Sequence, residues 1–158
     1  MIPWIESETG AVVEEFQVVS VVYRPVTVAF AALCDFARAS EWTPGLLEAR
    51  RGGSAPLGVG SKIVFVGHFL GRSYESPAIC TDDAANRKLT TRSENGPFVF
   101  EVAAELEEGD ENTTVTSTYR GESRGFFKLT EPLVVRLAKR QFELAAKNLR
   151  ELLGAEVL

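Results

Sequence analysis

The stretch LAKRQFELAAKNLRELL, residues 137–153, constrains the fold more than any other part of the chain. At about 100° per residue, Val134, Ala138, Ala145, Leu149 and Leu152 share one face, and Arg136, Lys139, Glu143, Lys147 and Arg150 share the opposite one. The pattern predicts a helix from about Thr130 to Leu153. Thr130 can cap its N-terminus, Glu131 favours the positive end of the dipole, and Pro132 is tolerated in the first turn. Gly154 suits the C-terminal stop. At roughly 1.5 Å per residue such a helix is on the order of 36 Å long, and its apolar stripe needs a surface of similar length to lie on. One residue breaks the stripe. Gln141 falls about 20° from Val134 and Leu152, while Asn148 lies nearer the edge, where solvent is expected. A buried amide without a partner costs a few kcal/mol, on the order of 1–3, so what Gln141 faces matters.

The matching surface is written in the preceding residues. VVEEFQVVSVVY (12–23) is rich in β-branched residues and predicts a strand. Pro25 ends it and can open a helix, in which Val26, Phe30, Leu33 and Phe36 recur at helical spacing. ASEWTPG (39–45) predicts a second short helix or turn, ended by Pro44 and Gly45. The period then changes. Strands are expected at 46–51, 61–69, 72–81, 88–93, 97–107 and 113–120, with Leu70 and Gly71 closing a hairpin. In PFVFEVAAELE, Phe98, Phe100, Val102, Ala104 and Leu106 alternate with Val99, Glu101, Ala103, Glu105 and Glu107. In TTVTSTYR, Val115, Ser117 and Tyr119 oppose Thr114, Thr116, Thr118 and Arg120. Such alternation belongs to an antiparallel sheet with one wet face. Runs of strands between segregated helices predict an α+β fold.

Composition narrows the partners. With 158 residues the chain suits one core. A net charge of −5 and no basic run argue against nucleic acid. No apolar stretch approaches the roughly 20 residues of a membrane span, and MIPWIESETG has no basic leader, so no signal peptide is expected. Cys34 and Cys80, the two cysteines, match no metal or redox spacing. A reduced, cytoplasmic protein is the simplest expectation.

The order of these elements, with several strings, resembles the helix-grip superfamily of START domains and the birch-pollen allergen (SRPBCC), and within it the polyketide cyclase/dehydrase branch. The strings are RPVTVAFAALCDF with EWTPG, PLGVGSKI, LGR, PFVFEVAAELE with NTTVTSTY, and EPLVVRLAKRQFELAAKNLRELL. The resemblance implies a seven-stranded curved antiparallel sheet wrapped around the long C-terminal helix, with two short helices between strands one and two. Residues 1–11 would be an extension and 12–154 one domain. It further implies a cavity between helix and sheet. Two departures bear on the size of that cavity: Phe30 stands where tryptophan is frequent, and Ser117 where a large aromatic is common. Both enlarge the internal space.

Inward parity, with the resemblance, assigns the cavity wall to Phe65, Tyr74, Phe98, Phe100 and Tyr119 from the strands, to Leu137, Gln141 and Ala145 from the helix, and to Trp42 near its mouth. Phe98, Phe100 and Tyr119 could equally form a solid core, and Trp42 a plug. Gln141 has Tyr119, Tyr74, water, a backbone carbonyl or a ligand as prospective partners. His68, the one histidine, shares the outer face with Lys62. A zinc site needs three or four ligands, so neither metal nor cofactor is expected. Small buried residues explain Cys34 and Cys80. Three functions compete. Binding of a small hydrophobic molecule leads. An aromatase/cyclase acting in the same cavity follows, for which no catalytic residue can be named: it would want an acid or base there, and only Tyr119 and Tyr74 titrate. A protein-interaction module, or a homodimer joined through the tail bearing Trp4 and Ile5, comes third.

Overall fold

The alternation of residues 98–120 becomes a hairpin in a computed structural model of the chain, which describes residues 14–53, 56–93, 98–123 and 131–155. Strand β6 (Phe98–Glu108) pairs antiparallel with β7 (Thr113–Ser123), with Val102 opposite Tyr119 and Leu106 opposite Val115. Strand β1 (Glu14–Val22) joins the far edge of β7, with Phe16 opposite Tyr119. On the other side follow β5 (Lys88–Ser93), β4 (Arg72–Ala84), β3 (Lys62–Phe69) and β2 (Leu46–Arg51). The seven strands form one antiparallel sheet in the order β1-β7-β6-β5-β4-β3-β2. Leu70 and Gly71, at φ 51° and 73°, make the two-residue turn between β3 and β4, a geometry whose twist matches the flanking strands. Register shifts at Leu46/Glu48 and Cys80/Asp82 are irregularities of the kind that bends a sheet and sharpens its twist.

The connection between β1 and β2 plugs one end of the curve. Helix α1 (Val26–Cys34) starts at Pro25, whose carbonyl accepts from Val28 and Ala29. A non-helical Asp35 (φ −85°, ψ 78°) then breaks it. A 3-10 helix follows at Phe36–Glu41, three residues earlier than ASEWTPG alone indicates. Trp42–Gly45 is its connector to β2. Val26, Ala29, Phe30, Phe36 and Ala39 pack with Val22, Ile63, Cys80, Leu89, Leu106 and Val115 in the main core.

The C-terminal helix α2 (Glu131–Ala155) has 25 residues and lies across the inner face of this sheet. Leu149 and Leu153 complete the main core, whereas Leu152, expected in the stripe, is only partly buried. Arg24 donates from Nη1 to the Leu153 carbonyl at 3.1 Å, placing a cation on the negative end of the helix. The Arg24 carbonyl accepts from the fully buried Thr113 hydroxyl at 3.0 Å. At the other end Val134, Leu137 and Ala138 meet Phe69 and Leu70 of the β3–β4 hairpin. The expected extension at 1–11, with Trp4 and Ile5, and the Thr130 cap lie outside the described residues. No helix among the described residues is long and apolar enough to cross a membrane.

Candidate functional site

Between α2 and the sheet lies a cavity of about 310 Å³. Its cause is side-chain size. Ala138, Ala145 and Ala146 face Ser20, Ser76, Ala104 and Ser117 across the gap. Small residues on both walls cannot bridge helix and sheet, although protein interiors otherwise pack densely.

Aromatic rings form one wall. Phe142 lies edge-on to Phe16 (5.4 Å), Phe16 stacks on Tyr119 (4.9 Å), and Tyr119 stacks on Phe100 (6.5 Å). Phe100 meets Phe65 at 6.5 Å, and Phe65 meets Phe36 at 6.0 Å. Every step falls within the range of about 4.5–7 Å at which aromatic pairs attract. The two tyrosines on the wall are seated on glycines. A Cβ on Gly121 would come within 2.9 Å of the Tyr119 hydroxyl, and one on Gly67 within 2.7 Å of the Tyr74 hydroxyl. Any larger residue at these two points would push the phenols away.

The Trp42–Gly45 connector borders the cavity and is tied from two sides. The Gly45 carbonyl accepts from His68 N at 2.8 Å, and Asn148 Nδ2 donates to the Trp42 carbonyl at 3.2 Å. Asn148 is therefore part-buried and bonded, not solvated as its place near the stripe's edge suggests. Gln141, one heptad earlier, lies against Gly45: a Cβ there would be 3.5 Å from its Nε2. Its amide makes no hydrogen bond with the described residues. Ser76 also lines the cavity, with a buried hydroxyl that has no hydrogen-bond partner among the described residues.

Burial pushes the Tyr74 hydroxyl up from its ordinary value. Outside the cavity lining, burial and then the nearby Asp83 push Cys34 up to about 11, and burial also raises Cys80. Both thiols are thus protonated at neutral pH and poor nucleophiles. His68 is exposed on the outer face, with Nδ1 3.1 Å from the Ser73 hydroxyl. Among the described residues no group of three or more His, Cys, Asp or Glu could hold a metal ion.

Of the residues assigned to the wall from sequence, Trp42, Phe65, Tyr74, Phe100, Tyr119, Gln141 and Ala145 border this one cavity. Leu137 does not; it packs on the Phe69 cluster beside the hairpin. The Phe98 side chain lies outside the described residues. Sequence reasoning missed Phe142, Phe36 and Phe69. Phe142 had a signal, since it follows Ala138 by four residues and precedes Ala145 by three.

The architecture is the helix-grip fold, and solved structures share it. A protein of Thermus thermophilus superposes with a TM-score of 0.78 at 18% identity, over 90% of this chain and 99% of that one. A START superfamily protein from Mycobacterium smegmatis gives 0.75 at 17% identity, over 89% and 97%. The ZhuI aromatase/cyclase of Streptomyces sp. R1128 gives 0.78 at 12% identity, over 93% and 97%. At these identities the likeness is one of fold, which many functions share. No protein-family model and no curated protein matches the sequence.

Proposed function

We propose that the protein binds a small, largely apolar molecule in the cavity between α2 and the sheet. The observation that carries this reading is the void itself: about 310 Å³ bordered by an unbroken run of rings and a few polar side chains. That volume is at the lower end of the roughly 300–1,000 Å³ typical of ligand sites. Phe65, Phe100, Tyr119 and Ala145 would supply contact area, Tyr74 and Gln141 hydrogen bonds, and Trp42 a wall near the connector. The START and aromatase/cyclase proteins of the same fold support the reading as analogies. A cyclase in the same space would gain from holding a flexible chain folded but would still want an acid or base there. Of the described lining residues only Tyr74 and Tyr119 titrate, and burial keeps the Tyr74 phenol protonated. Unpaired, protonated thiols suit a reducing compartment such as the cytoplasm.

Two measurements test the binding reading. Native mass spectrometry of freshly purified protein should show a mass increment that organic extraction removes. The neutral fluorophore N-phenylnaphthylamine should brighten on titration into the protein, and Ser117→Phe, which fills the space from the β7 side, should weaken its binding by about tenfold or more. A protein that carries no small molecule and leaves the fluorophore dark would overturn the proposal.

A further inference from the structure

We infer that the molecule held in this cavity is uncharged, carries a hydroxyl or carbonyl group on a compact aromatic body, and is oriented by the side-chain amide of Gln141. The inference rests on the binding reading above and adds the chemistry of the ligand. Among the described residues that line the cavity, none is Asp, Glu, Lys, Arg or His. Charged residues that adjoin the lining ones in sequence point elsewhere: Glu75 pairs with Arg50, Glu41 with Arg38 and Arg120 with Glu15, and His68 lies exposed beside Ser73. A carboxylate or phosphate entering this space would lose its water and meet no counter-ion, which is costly in an apolar interior. A neutral group has no such penalty.

Gln141 is the polar side chain placed to receive that group. Asn148 shows why. It stands one heptad further along the same flank of α2 and faces the same connector, yet its amide is used by the Trp42 carbonyl. Opposite Gln141 the connector presents Gly45, whose carbonyl already accepts from His68 N. The Gln141 amide is left with two donors and an acceptor at the cavity wall and no bond to the described residues. A hydroxyl can both accept from and donate to it; a carbonyl can accept. The rings from Phe142 to Phe36 then favour a flat body.

Three compounds of nearly equal shape separate the possibilities: naphthalene, 2-naphthol and 2-naphthoate, each competed against N-phenylnaphthylamine near neutral pH. Naphthol should bind roughly fivefold tighter than naphthalene, the worth of one neutral hydrogen bond. Naphthoate should bind at least about tenfold more weakly than naphthol. Gln141→Leu should erase the advantage of naphthol while leaving naphthalene unchanged, and Gln141→Met serves if the leucine variant does not fold. Naphthoate binding as tightly as naphthol would overturn the neutrality of the ligand. An undiminished preference for naphthol in both variants would overturn the role of Gln141. Failure of all three compounds, with the fluorophore also dark, would instead remove the binding reading on which the inference stands.

Discussion

The two halves of the helix–sheet interface do opposite things with the same backbone. From Leu149 to Leu153 the helix presents leucines to Val22, Ile63, Leu106 and Val115, and α1 seals the end. From Val134 to Ala146 it presents Ala138, Ala145 and Ala146 beside Val134, Gln141 and Phe142, and the sheet answers with Ser20, Ser76, Ala104 and Ser117 between its larger residues. One half is packed as a core; the other stands apart around a void lined by rings. Val22, Val115 and Leu149 border both the core and the void, so stability can be concentrated beyond them, at Ile63, Leu106 and Leu153, and the open half can vary in shape at little cost to the fold. The two amides repeat the contrast on a smaller scale. Asn148 fastens the connector, while Gln141 is held against it without a bond.

The contrast can be broken most forcefully at the packed end. Leu153→Ala should lower the free energy of unfolding by about 2–5 kcal/mol, the cost of emptying a filled site, as read by urea denaturation. A loss much below this would mean that the two halves are packed alike. At the open end Ser117→Phe should reduce fluorophore affinity by tenfold or more, equivalent to about 1.4 kcal/mol, with stability altered less than in Leu153→Ala. Unchanged affinity would show that the space beside Ser117 is not where ligands sit.

The amides give a finer comparison. Asn148→Leu removes a donor and strands the Trp42 carbonyl, so a loss of about 1–2 kcal/mol is expected in the same denaturation experiment. Gln141→Leu should be neutral or stabilising, because no bond to the described residues is lost. Equal losses at both positions would mean that the helix uses them identically.

The smallest expected effect is alkaline. Burial holds Cys34 at about 11, above its ordinary 9.0, so the folded state keeps the thiol proton more tightly than the unfolded chain. Its contribution is complete below pH 9 and is lost as pH rises from 9 through about 11. Melting temperatures followed across that window should fall less steeply for Cys34→Ala than for the parent. Cys80 and Tyr74, shifted in the same direction, keep part of the slope in both. Superimposable profiles would remove Cys34 from this account.

Period two in the sequence placed the inner and outer faces of β6 and β7, and period 3.6 placed the helix, because both follow from backbone geometry. The phase of the helical stripe was harder to read. Leu137 lies about 60° to one side of Val134 and Phe142 about 80° to the other, so a stripe centred on Val134 admits either flank, and only the spacing of Phe142 from Ala138 and Ala145 favours its side. Phe16 decides it, by drawing Phe142 toward β1 through a contact made across the whole chain. Leu137 is left to the hairpin, and Gln141 and Asn148 become the trailing edge. The void was legible only through the resemblance, since alanine and serine at inward positions are compatible with a closed gap as well as an open one. The bond from Asn148 to a connector carbonyl, 106 residues away in sequence, had no local signature at all.

Trp42 gives the cavity an optical property. Its indole borders the space, and its carbonyl is pinned by Asn148, so its surroundings change when the space is filled and not when the connector drifts. Near-ultraviolet emission from this one ring therefore acts as a built-in occupancy gauge. Expelling water from around it moves the emission to shorter wavelength, and an aromatic ketone beside it quenches the light. With Trp4 as the other tryptophan of the chain, a Trp4→Phe background leaves a single emitter, and the filling of the site can be followed in real time without any label.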